Sequence, residues 1–241
     1  MVATAAPHRS GRPERHRHAL QIVPLVAALI LAGIGVTLLV RGGGSSSSGV
    51  QGSGVPATQT RAVAGFSSLD LAGASDVTVV VGGPRSVVVR ADSNLISHVT
   101  TRVAAGTLVI GETGSFTTRS PMSVAVRVPS LTALNLSGAG KITVTGISGP
   151  RLTVTVSGTG VLSATGTVTR LDVTVSGAGL AQLSQLTARD VHAVVTGSGL
   201  IQVTAMASLA AAVPGTGSIM YGGSPAQVTT SITGTGTVVA G

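Results

Sequence analysis

The chain lacks cysteine and has very few aromatic or charged side chains. Its 241 residues include no Cys, no Trp, one Tyr and two Phe, and only 9% of them are charged. Without cysteine, the fold has no disulfide, no thiolate metal ligand and no lipid-modified cysteine anchor. Aromatic side chains usually supply much of the volume of a broad core. Their scarcity therefore favours narrow, stacked elements with small aliphatic side chains inside.

The positive charge of the chain is too dispersed to indicate nucleic-acid binding. The formal net charge is +8, shared equally between residues 1–41 and the 200 residues that follow. Those 200 residues contain ten basic and six acidic side chains, without a basic cluster or interleaved aromatic residues. Proteins that bind nucleic acids concentrate their basic residues in a patch or stripe, so we exclude that class of function.

A membrane-spanning helix is predicted over residues 19–40. This run of 22 residues carries no charge, and a helix of that length spans about 33 Å, enough for a bilayer core of about 30 Å. The arginines that precede it predict a cytoplasmic tail over residues 1–18 and an extracytoplasmic remainder, which makes a single-pass protein of the cell membrane. The alternative is a cleaved secretory signal, which would release the remainder as a secreted protein.

Pairs of glycines recur at a nearly constant interval in the last 105 residues. The pairs are Gly138 and Gly140, Gly158 and Gly160, Gly177 and Gly179, Gly197 and Gly199, Gly215 and Gly217, and Gly234 and Gly236. Their first glycines lie 20, 19, 20, 18 and 19 residues apart. A period of about 20 residues is typical of solenoids. We expect each pair to form a structural corner, where glycine permits a positive φ and a close approach of neighbouring backbones.

Apolar residues alternate with polar ones on both sides of each corner, which is the periodicity of strands. The residue two positions before each first glycine is aliphatic: Leu136, Val156, Val175, Val195, Val213 and Ile232. Equivalent residues of successive coils should stack into aliphatic ladders. The predicted fold is all-β, a parallel β-helix or solenoid of ~19–20-residue coils, preceded by one transmembrane helix and a flexible linker.

The chain is accordingly divided into four parts. A basic tail (1–18) and a membrane helix (19–40) precede a Gly/Ser-rich linker (41–61) and a solenoid domain (62–241). Within the solenoid domain, residues 62–136 are strand-like but lack the Gly-x-Gly repeat, so we interpret them as degenerate coils that cap one end. Residues 137–241 hold the repeats.

The glycine pairs do not have the surroundings of a cofactor or metal site. A dinucleotide-binding loop needs a third glycine and a following helix, and a calcium β-roll needs acidic residues beside the glycines. The residues that follow the six corners are Lys141, Val161, Leu180, Leu200, Ser218 and Thr237. We therefore predict neither a cofactor-binding residue nor a metal ligand.

Several segments resemble the auto-transporter adhesin head GIN domain family. They include Gly73-Ala74-Ser75-Asp76-Val77-Thr78-Val79, Gly106-Thr107-Leu108-Val109-Ile110 and the closing run from Gly217 to Pro225. Together with the serial Gly-x-Gly coils, the resemblance covers about residues 62–240. It implies a secreted or surface-attached bacterial β-solenoid of adhesin-like character. Corners in this family often carry Asp after the glycines, and the six corners of this chain do not.

The acidic residues beyond residue 136 do not suggest catalysis. Asp172 and Asp190 are the only two, and they lie at different offsets from their corners. His192 follows Asp172 at the same outward offset one coil later, so the two are expected to form a surface ion pair in preference to a catalytic dyad. Asp190 directly follows Arg189, which suggests a local salt bridge. We predict no catalytic residue and no enzymatic activity.

The sequence thus predicts a membrane-anchored, extracytoplasmic β-solenoid that serves as an adhesin-like interaction or structural module. The alternatives are a membrane-linked regulatory or envelope-sensing protein that acts through residues 1–18, and, less favoured, a β-helix enzyme that acts on polysaccharides. Expected partners are the membrane, through residues 19–40, and either an envelope component or a second copy paired at the strand edge near Gly241. Tyr221 is expected to belong to the core and not to a sugar-binding platform.

Overall fold

The computed structural model describes residues 49–241, and the predicted all-β solenoid is confirmed there. No helix within residues 49–241 is long and apolar enough to cross a membrane. The predicted tail, the predicted membrane helix over 19–40 and the first part of the linker lie outside the described residues. Residues 50–61, which the sequence assigns to the linker, contain two strands. The sequence did not predict these two strands, because their residues are mostly polar and exposed and show no alternation of apolar and polar residues.

The described residues contain seventeen strands. They are β1 (Val50–Gln51), β2 (Pro56–Arg61), β3 (Ser68–Leu71), β4 (Asp76–Val81), β5 (Ser86–Asp92), β6 (Val99–Ala104), β7 (Thr107–Glu112), β8 (Phe116–Thr117), β9 (Ser123–Val128), β10 (Ala133–Leu136), β11 (Lys141–Val156), β12 (Val161–Val175), β13 (Leu180–Val195), β14 (Leu200–Val213), β15 (Ser218–Gly223), β16 (Gln227–Ile232) and β17 (Thr237–Ala240). All except β1 and β8 belong to one continuous sheet that winds around the core.

Each long strand from β11 to β14 makes most of one coil. It begins just after a glycine corner, bends where the pairing register shifts, and ends just before the next corner. In β11 this shift lies between Val144 and Ile147. Neighbouring coils pair in parallel, and Leu136, Val156 and Val175 are successive register partners. The repeat of the sequence therefore corresponds to one coil of the solenoid.

The aliphatic ladders fill the core as the alternation predicts. The residues two positions before the first corner glycine are fully buried from Leu136 to Val213. A second ladder, after the corners, is also buried; it contains Ile142, Leu162, Ala181, Ile201 and Ile219. Tyr221 is half-buried and packs against this core. Small side chains are large enough to fill this core because each one is covered by its equivalents in the neighbouring coils.

The N-terminal end of the solenoid is built out of sequence order. The coil of β3 and β4 pairs on one side with β10 and β11 and on the other with β7 and β9. It thus lies between two coils that follow it in the chain. Antiparallel strands then complete this end: β6 pairs with β7, β5 with β9, and β2 with β5.

Candidate interaction surface

The twelve corner glycines lie in two columns, one for the first glycine of each pair and one for the second. Backbone hydrogen bonds join successive corners, as from the amide of Val161 to the carbonyl of Gly140 at 3.1 Å. A Cβ atom on Gly158 would overlap the carbonyl oxygen of Gly138, and one on Gly160 would overlap that of Gly140. The corners are therefore packed so closely that a side chain does not fit between them.

The expectation of a positive φ at these corners is wrong. None of the twelve glycines has one. Positive φ values occur instead at the bends on the far side of the coil, at Gly146 (79°), Gly166 (137°) and Gly223 (91°). The reason for glycine at the corners is the short distance between stacked backbones, whereas at these bends it is also the left-handed backbone conformation.

The coil of β3 and β4 has a corner that the glycine pattern does not reveal. Gly73 lies under Gly138, and Ser75 takes the place of the second glycine. Ser75 is buried, and its hydroxyl donates a hydrogen bond to the carboxylate of Glu112, which also accepts one from the amide of Ala74. A serine fits because its neighbour on the outer side is this long side chain and not another glycine corner.

Asp76 follows this seventh corner directly, at the register position that Lys141 occupies in the next coil. An acidic residue after a corner is thus present once, although the six Gly-x-Gly corners have none. Asp76 lines an open cleft with Glu112 and Phe116. No group of three or more His, Cys, Asp or Glu side chains within residues 49–241 is placed to hold a metal ion.

Asp172 is held by two arginines and not by His192. Its carboxylate lies 2.8 Å from the Arg151 guanidinium and 3.2 Å from that of Arg170. His192 is its register partner in the next coil, yet no ion pair joins these two side chains. The predicted Asp172–His192 pair is therefore wrong. The arginine side chains are longer than that of histidine, and they occupy the carboxylate instead.

Asp190 forms the local salt bridge that the sequence predicts. Its carboxylate lies 3.9 Å from Nε of Arg189 and accepts a hydrogen bond of 2.6 Å from the hydroxyl of Ser208. Asp172 and Asp190 are each occupied by neighbours on the surface of the sheet.

Two buried or half-buried carboxylates in the N-terminal coils are structural. Asp92 is fully buried and accepts hydrogen bonds from the amides of Gly54 (3.0 Å), Arg119 (2.8 Å) and Ser120 (3.3 Å). The bond from Arg119 is the main cause that holds the pKa of Asp92 below its usual value. Asp92 thereby ties the first described segment to the loop before β9.

Asp70 has the opposite shift. Burial raises the pKa of this carboxyl group, and hydrogen bonds from Ser137 and Asn135 offset part of that effect. Both donors belong to the neighbouring coil, so Asp70 links β3 to the first repeat. The sequence gave no sign of this role.

The outward residues of the solenoid form two surfaces of different character. The strand sections before the corners carry Arg151, Arg170, Asp172, Arg189, Asp190 and His192. The sections after the corners carry no charge from Val161 onward. Their outward columns are Val161, Leu180, Leu200, Ser218 and Thr237, and Ser163, Gln182, Gln202, Met220 and Val239. We call these two columns the uncharged face.

Side chains on the uncharged face are linked to one another across coils. Ser163 contacts Gln182 at 3.0 Å, and Thr237 contacts Ser218 at 3.0 Å. Half-exposed aliphatic side chains at Val161, Leu180 and Leu200 form the adjacent column. The face is therefore a regular surface of hydroxyl, amide and aliphatic groups.

The chain matches a known protein family. Residues 65–225 match the family described as "Putative auto-transporter adhesin, head GIN domain". Among curated proteins, none matches the chain.

Solved structures share the fold. A "putative adhesin" from Bacteroides fragilis is 22% identical with a TM-score of 0.68, over 80% of this chain and all of that one. A "Putative lipid binding protein" from Parabacteroides distasonis is 20% identical with a TM-score of 0.53, over 80% of this chain and 99% of the other. At these identities the likeness concerns the fold alone.

Proposed function

Because the chain belongs to the auto-transporter adhesin head GIN domain family, as its resemblance indicated, we propose that it is an adhesin-like interaction module. In this proposal residues 19–40 anchor it in the cell membrane, with residues 1–18 in the cytoplasm and the solenoid outside. It acts by binding and not by catalysis. The observation that carries the proposal is the uncharged face, because it offers a regular contact surface across five successive coils.

The chemistry of this face favours an uncharged partner surface. Its aliphatic column contributes through burial of apolar area, and its Gln, Ser and Thr groups offer hydrogen bonds. Removal of an ion from water without a counter-ion is costly, so a charged partner is disfavoured. The absence of an exposed aromatic residue from the face argues against a sugar platform. A protein or lipid surface fits better.

The contacts of the acidic residues in the repeat region also support binding over catalysis. The acids of the repeat region are engaged by Arg151, Arg170, Arg189 and Ser208. This pairing supports a stabilising role for Asp172 and Asp190. If the purified full-length chain released reducing ends from envelope polysaccharides, the non-catalytic part of the proposal would be wrong.

The binding role is tested with charges placed on one face at a time. Full-length chain displayed on cells should retain envelope fragments, and this retention should change little with salt because no ion pair contributes. The double variant Gln182→Lys with Gln202→Lys should lower retention by about tenfold or more, because it brings two charges into an uncharged contact. The matched control is Thr155→Lys with Thr174→Lys, which adds the same charge to the other outward surface, before the corners, and should bind normally.

Two results would contradict the binding role: equal loss in both double variants, or retention that disappears at high salt. The anchor has its own test, the N-terminal sequence and intact mass of the native protein. A start beyond residue 41 would show cleavage and a secreted protein.

A further inference from the structure

The last coil of the solenoid is paired on one side only. Within the described residues, β16 pairs with β14, and β17 pairs with β15. The other edge of each strand presents backbone amide and carbonyl groups without a partner strand. Such an edge is a template for a further strand.

Within residues 49–241, nothing covers the core ladders at this end. Val228 and Ile232 are 44% and 46% exposed, whereas their equivalents one coil earlier, Leu209 and Val213, are 2% and 0% exposed. All six residues of β16 are exposed. Hydrogen-bonding capacity and apolar side chains thus coincide on one surface, which we call the terminal edge and define as β16 with β17.

The terminal edge lacks the features that normally prevent edge pairing. Lysine, other charges, proline and bulges usually protect exposed edges. Residues 193–241 contain no Asp, Glu, Lys, Arg or His, and neither β16 nor β17 contains proline. The opposite end differs, because its edge strand β2 begins at Pro56 and ends at Arg61, and β6 carries Arg102.

We propose that two copies of the chain pair end to end through their terminal edges, about a two-fold axis. The symmetry makes β16 and β17 antiparallel to strands of the second copy, and it covers Val228 and Ile232 of both copies. A second copy is the matching occupant because its terminal edge is likewise uncharged and equally unpaired, whereas the opposite end would bring Arg61 and Arg102 into the contact. A two-fold contact closes at two copies and gives a dimer, not a filament.

The two-fold axis determines where residue 49 of each copy lies. Residue 49 enters each solenoid at the end opposite the terminal edge, since β1 pairs with β8 there. In the dimer the two copies of residue 49 therefore lie at the two far ends. If residues 19–40 anchor the chain, as the proposed function holds, the dimer joins copies held by two facing membranes.

The pairing is tested with single cysteines, which report unambiguously because the natural chain has none. Thr229→Cys, Thr230→Cys and Ser231→Cys sample successive positions of the terminal edge. The control is Thr153→Cys, which lies in the same outward column as Thr229 but four coils from the end. We expect oxidation of the full-length chain to give cross-linked dimers for at least one edge cysteine and none for Thr153→Cys. Equal cross-linking at both places, or none at all three edge positions, would overturn the proposal.

A charge at the edge gives an independent reading. Thr230→Lys, combined with the edge cysteine that cross-links best, should lower the dimer yield by about tenfold or more, because the two-fold axis brings like charges together. Thr155→Lys in the same cysteine background is the control and should not change the yield. Thr230 is exposed, so the substitution leaves the fold intact, which the β-sheet circular dichroism signal verifies. An unchanged yield with Thr230→Lys would contradict the pairing.

Facing membranes are tested with two populations of phosphatidylcholine vesicles that carry differently tagged full-length chains. After the two populations are combined, the dimers should contain one chain of each tag. Dimers confined to one population would overturn the facing arrangement. Flotation monitors the anchor separately: protein lost from the vesicles speaks against the proposed anchoring, while its cross-linking in solution still decides the end-to-end contact.

Discussion

Gly158 lies so close to Gly138 that a Cβ atom on it would overlap the carbonyl oxygen below. The coil cannot move away, because the next corner is hydrogen-bonded above it, as from the amide of Ser176 to the carbonyl of Val156. Gly149 lies in the same strand-rich region with no atom within 4 Å of the position a Cβ would take, and its φ is not positive. Neither glycine has a positive φ, so a comparison of the two reports the effect of the space around them.

We therefore expect Gly158→Ala to lower the free energy of unfolding by about 1–3 kcal/mol, since overpacking forces backbone shifts. Gly149→Ala should be neutral or stabilising by up to about 1 kcal/mol, because alanine restricts the unfolded chain. Urea denaturation of the two variants measures the difference. Equal effects would show that packing does not explain the corner glycines.

The buried carboxylate of Asp92 makes stability depend on pH. Its pKa is lower in the folded chain than in the unfolded one, so its stabilising effect is present above the usual aspartate pKa of about 4 and is lost as the pH falls through the folded value. Asp92→Asn cannot accept all three amide hydrogens. It should lower the urea midpoint at neutral pH, and the difference from the natural chain should narrow in acid.

The matched control for that experiment is Asp76→Asn, since Asp76 is exposed and should hardly change the midpoint. An Asp92→Asn variant with the same acid dependence as the natural chain would contradict the role of this carboxylate.

At the scale of elements, the stability that a strand contributes depends on whether strands pair with it on both sides or on one. Val191 and Val228 are the same residue type at the same ladder position, yet Val191 is 3% exposed and Val228 is 44% exposed. Val191→Ala should cost about 2–3 kcal/mol, from lost burial and the cavity left behind. Val228→Ala should cost less than about 1 kcal/mol. Equal losses in urea denaturation would mean that the last coil is covered in the isolated chain.

The strands of the repeat region could be predicted because each coil packs against coils with the same sequence pattern. Leu152 and Leu171 recur at the same offset from their corners, and both are buried. The N-terminal coils were not predictable to this level, since their partners are distant in sequence. Leu71 pairs with Ile110 and with Leu136, and Ser75 replaces a glycine because Glu112 lies beside it.

On the surface, too, contacts between residues close in sequence could be predicted and contacts between distant residues could not. The position of Asp190 beside Arg189 sufficed for its salt bridge, because adjacent residues need no fold to meet. The contacts of Asp172 depend on which side chains reach across two coils, and alternation alone does not contain that length information. Asp92 depends on segments 27 to 38 residues away.

For the molecule as a whole, the coils give the solenoid a direction. One end is completed by antiparallel strands that carry Arg61 and Arg102, and the other is open, uncharged and partly apolar. Charged residues lie on one outer surface and are absent from the other from Val161 onward. These two distinctions keep the proposed lateral contact, on the uncharged face, apart from the proposed end-to-end contact, on the terminal edge.

The position of β3 and β4 between two later coils has a consequence for biogenesis. A chain that emerges from its N-terminus cannot complete this coil until residues 107–145 have followed, because they form both of its neighbours. From β11 onward, each new coil has its template already in place and adds after about 20 further residues. The first stage closes long loops and is slow, and the second proceeds like a zipper. Assembly would therefore pause once, near the start, and then run to the open end.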